Sequence, residues 1–223
     1  MEDNYYISES DFYTWLQDNR EDFDILMAYY RCAMMEISTK FNVLNEEMSL
    51  RYEKRNPIEF IRHRLKTYES IRGKLARKRL ALTIENIELG LNDVAGIRVI
   101  CSFPMDIYML ADALSRQDDI IVIDRKDYME HPKPSGYRSL HLIVAVPIFL
   151  HDYKKMMTVE VQFRTIGMDW WATLEHKIKY KKDLPDLPAV EEALIDCANK
   201  SYELDLEMQD LFKTAMSASS EQS

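Results

Sequence analysis

Gly136-Tyr-Arg-Ser-Leu-His-Leu-Ile-Val-Ala-Val-Pro147, followed by Thr158-Val-Glu-Val-Gln-Phe-Arg164, is the part of the chain whose pattern decides the fold. At period two, Leu140, Leu142, Val144 and Val146 make one wholly apolar strand face. Tyr137, Ser139 and His141 fall on the other face. Val159, Val161 and Phe163 repeat the pattern and leave Glu160, Gln162 and Arg164 opposite. Two strands with apolar backs thus present an aromatic ring, an imidazole, a carboxylate, an amide and a guanidinium on one polar surface. An ordinary half-exposed sheet carries Lys, Thr and Glu there, so this variety points to a polar ligand site.

Upstream, Ile58–Lys66 reads as a strand and Glu69–Leu80 as a short basic helix. Ser70 and Lys74 lie four residues apart and Arg77 follows within another turn, so the three share a helix face. Arg64 and Lys66 precede them on one face of the strand. These polar groups converge on a strand-to-helix turn, where free backbone N–H groups also favour anions. No GxxxxGK[ST] sequence is present, so this is not a Walker-type loop. The plain alternative is a solvated basic helix face. Residues 51–80 hold eleven Lys or Arg against three Glu, a balance of +8 inside a chain of net charge −9. A basic segment in an acidic protein suits a compact polyanion better than nucleic acid in general.

Asp93 stands just before a strand predicted over Ala95–Phe103, which has Ile97, Val99, Cys101 and Phe103 on one face and Arg98 on the other. That position suits a ligand or metal, and equally a turn or cap. A short helix is predicted over Ser10–Asp18 and a long one over Asp22–Arg55, where Phe23, Leu26, Tyr30, Ala33, Ile37, Phe41, Leu44 and Met48 step by threes and fours. Asn56-Pro57 ends it. Ile84–Gly90 reads as a helical turn, Met105–Arg116 as a helix, Ile120–Asp124 as a strand and Lys126–Ser135 as a loop. Thr165–Lys181 is a helix with Asp169, Thr173, His176 and Tyr180 on one stripe and Trp171, Leu174 and Ile178 on another. Ala189–Met216 is a last helix with Val190, Leu194, Cys197, Leu204, Met208 and Leu211 as its stripe, and Ser217–Ser223 reads as a disordered tail. Helices, an α/β middle and helices again give an α/β (α+β) fold with a mixed sheet of about five strands.

Composition excludes several classes. No apolar run approaches the roughly 20 residues that cross a bilayer, and Met1-Glu2-Asp3 is no basic leader. Cys32, Cys101 and Cys197 are far apart, with no CxxC, and read as reduced core thiols of a cytoplasmic protein. The five histidines form no HExxH or HxH pair, and His151-Asp152 is a lone dipeptide, so a metal-dependent HD phosphohydrolase is not supported.

A basic cluster, an isolated Asp before a strand and a strand carboxylate suggest phosphoryl or nucleotidyl transfer, which relies on positioning and charge neutralisation. Here a family resemblance becomes specific. Asp93-Val-Ala-Gly-Ile-Arg98, Lys133-Pro-Ser-Gly-Tyr-Arg-Ser-Leu-His141, Glu160-Val-Gln-Phe-Arg-Thr165 and Trp170-Trp-Ala-Thr-Leu-Glu-His176 resemble the synthetase domain of the RelA/SpoT family. Length and flanking helices are similar to the stand-alone small alarmone synthetases, closest to the RelP branch. The likeness runs from about residue 22 to 212, with nothing like the family's hydrolase or regulatory domains.

That resemblance implies a nucleotidyltransferase-like synthetase fold, a single domain over residues 1–216, and transfer of pyrophosphate from ATP to the 3′-hydroxyl of GDP or GTP. Arg64 and Arg98 would sandwich adenine, and Lys66, Ser70, Lys74 and Arg77 would bind the ATP phosphates. Asp93 and Glu160 would hold Mg²⁺, with Glu160 also taking the acceptor's proton. Tyr137 would stack on guanine, Lys133 and His141 would lie near the acceptor phosphates, and Gln162 would support the site. Asp169 stands where many relatives have Asn and would alter hydrogen bonding near guanine. Lys126, where Arg is frequent, would give a less planar phosphate contact. The likeness also implies a homotetramer. The competing reading is a nucleotide- or RNA-binding regulator with the same fold and little catalysis. A general nucleotidyltransferase lacks support, because its Gly-Ser followed by paired Asp is missing.

Overall fold

The computed structural model describes residues 7–51, 56–179 and 187–220. Helices α1 (Glu9–Asp18) and α2 (Arg20–Arg51) lead into β1 (Ile58–Leu65), α3 (Tyr68–Lys78) and α4 (Ile84–Gly90). Then come β2 (Ala95–Cys101), α5 (Pro104–Ser115), β3 (Ile121–Asp127), β4 (Leu140–Phe149), β5 (Lys154–Thr165), α6 (Ile166–Lys179) and α7 (Leu187–Ser220). The sheet order is β1-β2-β5-β4-β3. Among the described residues, β2 and β5 pair in parallel and the other three pairs are antiparallel.

Alternation in the strands builds the core row by row. Val99, Phe163 and Leu140 are in register across three strands, as are Ile97, Val161 and Leu142, and all six are buried. Tyr30, Ala33, Ile37 and Phe41 of α2 are buried with them in one cluster, Phe41 meeting Phe163 edge-on at 5.6 Å. Each such fully buried Val, Leu, Ile or Phe contributes about 1.5–3 kcal/mol relative to exposure. Ile107, Leu110, Ala111 and Leu114 of α5 complete this layer. The opposite face of the sheet is left for polar side chains.

Several boundaries differ from the sequence reading. β4 begins at Leu140, so Tyr137 and Ser139 lie in the approach to the strand. The chain there closes its hydrogen bonds locally: Gly136 N–H donates to Lys133 O at 2.8 Å and Lys133 N–H to Tyr137 O at 3.1 Å. Gly136 has φ +86°, a left-handed conformation that strand pairing cannot absorb. β3 runs on to Asp127 and draws Lys126 out of the predicted loop, opposite His141. α7 continues to Ser220, so the predicted disordered tail is helical over its first residues; 221–223 fall outside the described residues. So do 52–55 at the end of the predicted long helix, and Tyr180 and Lys181. The inward face of α7 is Leu194 and Ala198, against Trp171 of α6. Cys197, read as a core thiol, is exposed, as are Leu204, Met208 and Leu211. Among the described residues, no helix is long and apolar enough to cross a membrane.

Candidate functional site

Strand register assembles the site. Arg62 of β1, Arg98 of β2, Gln162 of β5, His141 of β4 and Lys126 of β3 occupy one row across all five strands. The neighbouring row holds Arg64, Gly96 and Glu160. Gly96 contributes no side chain, so the floor between Arg64 and Glu160 stays open. Above it lies a cleft of about 610 Å³, walled by Arg62, Arg64, Lys66 and Asp93 on one side and by Lys133, Tyr137 and His141 on the other. A volume of this order suits nucleotide-sized ligands.

The cationic wall is built where β1 hands over to α3. Lys66 N–H donates to Val94 O at 2.8 Å, fixing the end of β1 beside Asp93. Thr67 caps α3, its Oγ1 accepting from Ser70 N–H at 3.3 Å. Asp93 Oδ2 accepts from Lys66 Nζ at 2.9 Å and pairs with Lys74 Nζ at 2.5 Å. Its Oδ1 is buried and has no hydrogen-bond partner. Burial pushes the Asp93 pKa up, but the bonds to Lys74 and Lys66 outweigh it and hold the carboxyl below its usual range.

Glu160 faces the other wall. Its Oε2 accepts from Gln162 Nε2 at 2.9 Å and its Oε1 lies 3.4 Å from His141 Nδ1. Burial raises its pKa and the His141 contact lowers it, with a net result below the ordinary value; the Asp93 charge acts upward. The two carboxylates therefore sit close enough to feel each other. A continuous network backs this wall: Arg164 NH2 donates to Tyr137 Oη at 2.8 Å, and Tyr137 Oη is 3.0 Å from His141 Nε2. With Nδ1 protonated towards Glu160, Nε2 accepts from Tyr137.

Of the residues singled out from sequence, Arg64, Lys66, Asp93, Arg98, Lys133, Tyr137, His141, Glu160 and Gln162 line this cleft. Lys74 reaches it through Asp93. Ser70 and Arg77 are not among its lining; Arg77 lies along α3 beside Gly73. Lys126 is at the outer end of the polar row, paired with Asp124 at 3.1 Å. Asp169, expected near guanine, is buried behind the cleft instead of lining it. Its Oδ1 accepts from Arg98 and Arg164, both at 3.0 Å, and its Oδ2 from Arg62 at 3.3 Å. The first turn of α6 brings it under the arginines that β1, β2 and β5 project. Burial first, then the Arg164 charge, lower the Arg98 pKa, against which Asp169 acts. Sequence reasoning passed over Arg62, although its place two residues before Arg64 on a strand already put it on the same face.

Residues 63–184 match the family described as the region found in RelA / SpoT proteins. The GTP pyrophosphokinase YwaC of Bacillus subtilis (strain 168) is 39% identical over 188 residues, 84% of this chain and 89% of YwaC. The crystal structure of small alarmone synthetase 2 from Bacillus subtilis has a TM-score of 0.75 at 38% identity, covering 86% of this chain and 99% of that one. Small alarmone synthetase 1 from the same organism, bound to its product pppGpp, gives 0.76 at 33% identity, covering 88% and 99%. The mixed five-stranded sheet with its helices is thus shared with small alarmone synthetase structures, and the chain belongs to the RelA/SpoT family. Within it the chain is a small alarmone synthetase, a GTP pyrophosphokinase that makes (p)ppGpp.

Proposed function

We propose that the cleft transfers the pyrophosphate of ATP to the 3′-hydroxyl of GDP or GTP, releasing AMP. The observation that carries this reading is the position of Glu160, between the Lys66–Asp93–Lys74 cluster and the His141–Tyr137 wall. Arg64 and Arg98 take the adenine, and Lys66 and Lys74 the ATP phosphates, with Ser70 and Arg77 further along α3. Tyr137 stacks on guanine. Lys133 Nζ now lies 4.9 Å from the centre of that ring, and a stacked base takes its place, freeing the ammonium for the acceptor phosphates. His141 and Lys126 lie on the same side of the cleft.

The acceptor oxygen attacks the β-phosphorus as the bond to the α,β-bridging oxygen breaks and AMP departs. Glu160 accepts the 3′-hydroxyl proton. Its depressed pKa keeps it ionised at neutral pH but makes it a weak base, so the proton moves only once the new O–P bond is forming. The residues also suit a divalent cation. Asp93 Oδ1 is buried without a partner, Glu160 offers a second carboxylate, and Mg²⁺ is commonly held by one or two carboxylates plus substrate phosphates. When bound, Mg²⁺ neutralises charge on the transferring phosphates.

The chain is read as a cytoplasmic homotetramer, for which exposed Met35, Val43 and Leu50 on α2, and Leu204 and Leu211 on α7, offer apolar surface. The regulator reading is not favoured, since both carboxylates and their cationic partners converge in one cleft. The test is incubation with Mg²⁺, ATP and GDP or GTP. AMP and a 3′-pyrophosphorylated guanosine nucleotide are the expected products; absence of both rejects the reading, and release of pyrophosphate instead of AMP indicates nucleotidyl transfer.

A further inference from the structure

Asp169 is buried behind the cleft, yet it bonds arginines that serve both proposed nucleotide subsites. One oxygen, Oδ1, holds Arg98 and Arg164 at 3.0 Å each, while Oδ2 holds Arg62 at 3.3 Å. Arg98 and Arg62 belong to the donor wall. Arg164 is itself buried, bonds Tyr137 Oη at 2.8 Å, and lies with Cζ 5.0 Å from the centre of that ring. From Tyr137 the chain of contacts runs on to His141 and Glu160. A single carboxylate amid three guanidinium groups leaves a net positive cluster, so none of the arginines can shift without changing the field on the others.

We propose that Asp169 is a positioning residue that couples donor and acceptor binding, by tethering Arg98 and Arg164 to the same oxygen. A nucleotide settling against Arg98 fixes its guanidinium. Through the shared oxygen, Arg164 is fixed with it, and so is the orientation of the Tyr137 ring that receives guanine. The second nucleotide then meets a wall already ordered, and binds more tightly than it would to the free protein. By linkage the effect is the same in either order of addition. The shared acceptor is what matters: an amide in its place keeps one oxygen for Arg98 and Arg164 and turns its N–H₂ towards Arg62, whereas alanine removes the tether.

This inference rests on the synthetase reading, and its test separates the two. An ATP analogue with methylene in place of the α,β-bridging oxygen cannot transfer pyrophosphate, so its binding can be titrated calorimetrically with and without saturating GDP in the presence of Mg²⁺. For the unaltered protein GDP should tighten the analogue about five-fold or more, the lower end of typical couplings. Asp169→Ala, which removes the shared oxygen, should bring that factor below about two-fold. Tyr137→Phe keeps the ring but removes the oxygen that Arg164 grips, and should lower the factor likewise in a protein that still unfolds cooperatively. Full coupling in both variants, or none in the unaltered protein while both nucleotides bind, overturns the proposal. If the unaltered protein binds neither nucleotide, the synthetase reading fails and the proposal with it.

Discussion

Glu160 owes its position to one alternation and its chemistry to burial and three neighbours. Val159 and Val161 turn inward, so Glu160 turns to the cleft, where burial raises its pKa, His141 and Gln162 outweigh it downward, and the Asp93 charge acts upward. Glu160→Gln keeps the shape, retains one acceptor oxygen and cannot take a proton. Nucleotide binding should stay within a few-fold while kcat falls by roughly 10²–10⁴; undiminished turnover in a steady-state assay would remove Glu160 from the proton-accepting role. Asp205 behaves oppositely. Burial between α7 and the end of β5 raises its pKa to about 6, against the bond from Thr165 Oγ1 at 2.5 Å that lowers it. An unfolded Asp titrates near ~3.9, so between about pH 4 and about 6 the folded protein keeps a proton the unfolded chain has lost. Stability from this group is therefore greatest below that window, declines as pH rises through it and is level above. Asp205→Asn should raise the melting temperature at pH 7.5 and shrink the gain on acidification to pH 5; an unchanged pH dependence in thermal melts rules out Asp205 as its source.

At the level of elements, the approach to β4 is held by α7. Gly136 sits at φ +86°, and a Cβ there would stand 2.9 Å from Ala198 Cβ and 3.2 Å from Ile195 Cα. Arg138 ties the same segment down, donating to Met129 O at 2.9 Å and Asn199 Oδ1 at 3.3 Å. Gly136→Ala should cost about 1–3 kcal/mol through strain and displaced packing. It should raise KM for the guanine nucleotide more than for ATP, since the segment carries Lys133 and Tyr137. Denaturant midpoints and separate substrate titrations check both, and equal effects on the two KM values would detach this loop from the acceptor side. The elements themselves were legible where periodicity was strong, as in α2 and β5. The approach to β4 was misread as strand because alternation from Tyr137 to His141 continues through a segment whose hydrogen bonds close on themselves.

For the whole molecule, the long helices pack differently. α2 lies on the apolar side of the sheet, whereas α7 packs on α6 and the end of α5 and leaves Leu204, Met208 and Leu211 exposed. The proposed tetramer would cover such surface. Light scattering after size exclusion should give four times the 26.4 kDa chain mass, and Leu204→Glu with Leu211→Glu should lower it; a monomer across micromolar concentrations disposes of the tetramer.

Alternation and helical spacing, which are local, determined which faces of this chain are apolar, that helices flank an α/β middle, and that Glu160, His141 and Gln162 share a polar surface. Pairing distant in sequence decided the rest. β5 inserts between β2 and β4 and runs parallel to β2, and only that register sets Arg62, Arg98, Gln162, His141 and Lys126 in one row. The same packing buries Asp169 beneath three arginines, because a side chain's partners depend on which strands arrive beside it, and a single stretch of sequence does not hold that information.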